Sequence, residues 1–95
     1  MALLDDVKLA LRISSSAFDS EVQDLIDAAN ADLQLSGVHP NRLDEGDPLI
    51  RRAIITYAKA NFGYDNPEAE RFQRSYDMLK AHLTLSQEYT AGDGS

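Results

Sequence analysis

Residues 51–72 read RRAIITYAKANFGYDNPEAERF, a run that gathers arginines and aromatic rings around one glycine. Such a mixture serves either to read nucleic acid or to pack helices, and its periodicity decides between them. Ile50, Ala53, Ile54, Tyr57 and Ala58 recur at three- and four-residue intervals, the stripe of an amphipathic helix. Ile55 and Phe62 lie on its flank, so the apolar arc is wider than one contact surface requires. Gly63 ends this helix. A second start follows at once: Asn66 has a capping side chain, Pro67 loses no helical hydrogen bond at the first position, and Glu68 and Glu70 suit the positive end of a helix dipole. Phe72, Tyr76, Leu79 and Leu83 then carry an apolar stripe to about Ser86. Met78 and Leu85 fall off that stripe as a smaller second patch. Tyr57, Phe62, Phe72 and Tyr76 share their registers with aliphatic residues, which makes them core rather than base-stacking platforms. The quoted stretch is thus an apolar corner between two helices, with charged edges.

Upstream, DPLIRR opens the first of these helices with Asp47 as cap and Pro48 at the first position. VHPNRLDEG, residues 38–46, holds a proline, an asparagine and a glycine without periodicity and reads as an exposed polar loop. Before it, Val22, Leu25, Ile26, Ala29 and Leu33 predict an amphipathic helix from Glu21 to about Leu35. Asp19 or Ser20 is its expected cap, Phe18 an expected hydrophobic staple, and Gly37 its stop. Leu4, Val7 and Leu11 predict a short first helix over 4–12, joined to the second by the serine-rich ISSSAFDS. The expected fold is all-α: a small bundle of about four helices with a polar loop between helices 2 and 3. Residues 1–88 form the single domain, and 89–95, ending in AGDGS, a flexible tail.

The chain has 95 residues, 43% of them hydrophobic and 26% charged, which is the balance of a folded domain. Its net charge of -7 repels phosphate, so general affinity for DNA is not expected. The charge is uneven: residues 12–35 hold five acids and one base, residues 36–63 three acids and four bases. No cysteine is present for a disulfide or thiolate site, no apolar run is long enough to span a membrane, and the opening MALLDDVKLALR lacks the pattern of a secretory signal. His39 and His82 are solitary, and Asp24 and Asp27 lie on a polar helix face. Neither a catalytic pair nor a metal site emerges, and no cofactor is expected. Small helical proteins offset a limited core by associating, and the surface left over for this falls at Ile55, Met78 and Leu85, with Phe62, Arg51 and Arg52 beside it. A helical DNA-binding regulator using Arg51, Arg52, Arg71 and Arg74 is the alternative from another class.

LLDDVKLALRI, DSEVQDLIDAANADL and above all the block from Asp47 to Ser86, with YAKANFGYDNPE followed by RFQRSYDMLKAHL, resemble the small all-helical head-tail connector proteins of tailed bacteriophages, also called head-completion, adaptor or DNA-packaging proteins. The resemblance covers most of residues 3–89. It implies a non-enzymatic virion protein at the head-tail junction, assembled in the host cytoplasm. Its copies would form a ring, of twelve in the family pattern, beneath the portal protein and above a tail-side protein. Genomic DNA would pass through the ring without sequence-specific binding. An acidic lining lets duplex pass without holding it, and Asp24, Asp27, Asp44 and Glu45 are the candidate channel-facing acids.

Overall fold

The computed structural model describes residues 3–63 and 66–90. They form α1 (Leu3–Leu11), a 3-10 turn at Ser16–Phe18, α2 (Asp19–Ser36), a second 3-10 turn at Pro40–Arg42, α3 (Pro48–Asn61), α4 (Ala69–Leu85) and a short α5 (Gln87–Thr90). No strand occurs among the described residues. The four longer helices are the expected all-α bundle, and the polar loop lies between α2 and α3.

The breadth of the apolar arc on α3 has a direct cause: this helix packs against α1, α2 and α4. Ile50, Ala53, Ile54 and Ala58 are all completely or almost completely buried. The alanines let neighbouring helices approach closely, and the isoleucines fill the space between them. Thr56, also buried, satisfies its hydroxyl by donating to the Arg52 carbonyl at 2.7 Å. Around α3 stand Val7 of α1, Val22, Ile26, Ala29 and Leu33 of α2, and Tyr76 and Leu83 of α4, all buried in one core. Ile55 belongs to the margin of that core rather than to the exposed surplus, because the three-sided packing of α3 reaches its flank.

Helix ends follow the sequence at some points and depart from it at others. The Asp47 Oδ1 accepts from the Leu49 and Ile50 amides at 2.8 and 3.3 Å, so the aspartate-proline start of α3 forms as expected. At α2 the expected capping fails. Asp19 is already helical, Phe18 occupies the cap position with no capping bond, and Ser15 caps the preceding 3-10 turn. Asp19 instead meets Lys8 at 2.6 Å and joins α2 to α1. Phe18 lies edge-on to Phe62, with ring centroids 5.8 Å apart. At the α3–α4 corner, Asn66 receives the Glu68 amide at 3.0 Å and donates to the Lys59 carbonyl at 2.7 Å. Its turn holds both helix ends, and regular α4 begins only at Ala69. Arg12 ends α1 with φ +62°, a left-handed conformation usually left to glycine.

The domain boundary also moves. Tyr89, assigned by the sequence to the tail, is buried in α5. Its hydroxyl donates to Asp47 Oδ2 at 3.0 Å, and its carbonyl accepts from the His39 amide at 2.8 Å. Residues 89 and 90 therefore belong to the domain, while 91–95 lie outside the described residues. The whole measures 42 × 27 × 18 Å, a slab less than two helix diameters thick.

Asp47 serves the α3 cap and the α5 clasp together, so Asp47→Ala should destabilise the fold by about 1–2 kcal/mol, at the upper end for a lost cap. Chemical denaturation followed by circular dichroism measures it. Tyr89→Phe should give a smaller loss, because the cap survives.

Candidate functional site

Two surfaces stand out once the core is accounted for. The first is a groove of about 510 Å³ between α3 and α4. From α3 it receives Arg52, Thr56 and Lys59, and from α4 Arg71, Ser75, Met78 and His82, with Phe72 and Leu79 as its floor. At one end the Phe72 ring lies between two cations, the Lys59 ammonium 5.3 Å and the Arg71 guanidinium 4.9 Å from its centre. Both cationic heads thus lie within cation–π range of the ring. Farther along α4, Met78 in the groove is 65% exposed, and Leu85, the last residue of the helix and beyond the groove lining, is 84% exposed.

The second surface is acidic. The exposed side of α2 carries Glu21, Asp24 and Asp27, and α2 contains no basic residue. Asp27 accepts from Gln23 at 3.0 Å and shares a depression of about 380 Å³ with Asp44 and Glu45 of the loop; Asp24 does not line it. Asp44 also holds its own loop, accepting from the Gly46 amide at 2.9 Å. No group of three or more histidine, cysteine or acidic residues able to hold a metal occurs among the described residues.

The other sequence-derived candidates divide. Phe62 is half-buried against Phe18. Arg51 turns toward α1 and meets Asp6 at 3.1 Å, whereas its neighbour Arg52 faces the groove. Arg71 meets Glu68 at 2.7 Å, and Arg74 is exposed. The four arginines therefore do not form one patch. His39 accepts from the Asn41 amide at 3.1 Å through Nδ1, a loop-turn role, while His82 is exposed in the groove. Sequence reasoning passed over Leu35, 88% exposed at the end of α2, and Leu9, 75% exposed on α1. Each lies on the polar side of its own helix, which was the signal available.

Between the surfaces, α2 and α4 are tied by a partly buried polar contact. Tyr76, fully buried and edge-on to Tyr57, donates to Asp32 Oδ2 at 2.6 Å, and Lys80 reaches the same oxygen at 3.1 Å. Burial acts to raise the pKa of Asp32, but the hydrogen bonds from Tyr76 and Lys80 and the lysine's charge outweigh it, and the net shift is downward. Burial, then the Asp32 bond, pushes the Tyr76 phenol far above its ordinary range. Burial and Asp47 likewise raise Tyr89 to about 12. Both phenols therefore contribute stability that is present below their ordinary value near 10 and is lost as pH rises through the folded values.

Compared with known proteins, residues 3–90 match the family model described as phage connector protein. The comparisons with curated proteins and with solved structures returned no match. No helix among the described residues is long and apolar enough to cross a membrane.

A lowered carboxyl contributes stability that is present above the unfolded pKa, near 4, and disappears as pH falls through the folded value. Asp32→Asn should therefore lower stability at neutral pH, and its deficit against the parent chain should shrink between about pH 5 and about pH 3. Urea midpoints measured across that range provide the check.

Proposed function

The chain belongs to the phage connector protein family, and from that premise we propose that it is a structural head-tail connector whose copies form a ring beneath the portal, line the DNA passage and join capsid to tail. The family match over residues 3–90 carries the reading. The surfaces described above support it. A net charge of -7 keeps a transiting duplex from adhering, because neutralising phosphates requires the cations this surface mostly lacks. Asp27, Asp44 and Glu45, which share one depression, are the acids proposed to face the passage; Asp24 lies outside it. Exposed apolar side chains on a slab only 18 Å thick supply area for neighbouring copies. Ile55, Phe62, Arg51 and Arg52 are the further residues proposed to contribute to the contact between copies.

The proposed partners are copies of the chain, in a ring of twelve, together with the portal protein and a tail-side protein. No catalytic step is assigned. The DNA-regulator alternative is weakened because Arg51 is turned to Asp6 of α1, away from the groove that Arg52 and Arg71 line, so the arginines do not form one patch.

Mass measurement and negative-stain imaging at high protein concentration, alone and with portal particles, should show closed rings or decorated portals. A chain that stays monomeric and ignores the portal would refute the assembly. In a low-salt gel-shift titration the chain should leave duplex DNA unretarded; steeply salt-dependent binding would favour the regulator instead.

A further inference from the structure

We propose that the outward face of α2 in one copy seats in the α3–α4 groove of the next, with α2 running in the same direction as the α4 it meets. The inference deepens the ring reading above and rests on it. Its basis is a match between two stripes that leave the core in opposite directions.

On α2, Glu21, Asp24, Ala28, Ala31 and Leu35 recur at steps of three and four and form the side turned away from the core residues Val22, Ile26, Ala29 and Leu33. On α4, Arg71, Ser75, Met78, His82 and Leu85 recur at the same steps beside the inward stripe of Tyr76, Leu79 and Leu83; Phe72, expected from its register to be core, lies in the groove instead. The two stripes are equally long, roughly 21 Å at 1.5 Å per residue. Set side by side in the same direction, they complement each other along their whole length. Glu21 and Asp24 fall at the Arg71–Lys59 end, the two alanines leave room for Met78, and Leu35 covers Leu85 beside His82. The opposite direction would set Leu35 against the cations and the acids against Leu85.

The energetics favour exchange. Within its own chain Arg71 is held by Glu68, in an ion pair with both side chains more than half exposed, and by the Phe72 ring, a contact it can keep while its free N–H groups meet a new partner. Such pairs contribute little, so the guanidinium can turn to an incoming carboxylate at small cost. Leu35 and Leu85 are the two most exposed large apolar side chains among the described residues. Because the faces differ, each bound copy still offers one free helix face and one free groove, the heterologous arrangement that propagates and can close into a ring. The mode is that of a helix laid in a groove.

Charge reversal and crosslinking decide the matter. Glu21→Lys with Asp24→Lys makes both faces basic; Arg71→Glu with Arg74→Glu makes both acidic. In sedimentation velocity, with and without portal particles, each variant alone should associate about tenfold more weakly or worse, and an equimolar mixture should recover. Since the chain has no cysteine, Ala31→Cys with His82→Cys should yield a ladder of disulfide-linked oligomers under mild oxidation, whereas Glu21→Cys with Leu85→Cys, which tests the opposite direction, should not. Circular dichroism confirms that each variant folds. Self-association without the Ala31–His82 ladder, or with the Glu21–Leu85 ladder, overturns this docking and leaves the ring standing. A chain monomeric under every condition overturns both. Duplex DNA binding that Arg71→Glu with Arg74→Glu abolishes would assign the groove to DNA and also end the proposal.

Discussion

One helix must satisfy three neighbours, and the rest of the molecule is arranged around that demand. α3 packs against α1, α2 and α4, so its residues are chosen by the space each neighbour leaves. Alanine stands where a backbone comes near and isoleucine where a gap must be filled, with Ala53, Ala58, Ile50 and Ile54 all essentially without solvent contact. A larger residue at either alanine would push a whole helix outward, since close-packed interiors transmit displacement instead of absorbing it. With α3 fixed, the capping aspartate at its start and the asparagine turn after its end set where the loop and α4 can go. Surrounding one helix with three neighbours in so short a chain leaves those neighbours only partly covered, and the exposed sides of α2 and α4 follow from this.

Much of this was legible in the sequence, for identifiable reasons. The breadth of apolar residues on α3 signalled more than one contact, and the aspartate-proline pair marked its start because both residues act locally. The capping of α2 was misread because Asp19 has a competing partner in Lys8, which belongs to another helix and lies beyond anything a local capping pattern records. α1 ends without a glycine, so nothing in the letters marked Arg12 as a stop. Tyr89 looked like part of a small, polar ending, and only the placement of Asp47 and His39 beside it reveals a buried ring.

The candidate surfaces were less legible than the fold. Met78 and Leu85 could be separated from the core stripe by period alone. Arg51 and Arg52 could not be told apart, although one faces α1 and the other the groove. Leu35 was hidden because it stands at the end of α2, off the core stripe, beside Gln34 and Ser36. Which outward residues share a surface depends on how helices cross, and period does not encode crossing angles. The phage connector family supplies the context in which such surfaces have a use.

The elbow after α1 carries a last consequence. An arginine at φ +62° occupies a backbone region that disfavours side chains, at a cost of about 1 kcal/mol. The chain thus holds an untapped reserve of thermal robustness at a single exposed position. Selection has left that reserve unspent, as expected of a protein that needs only enough rigidity to endure.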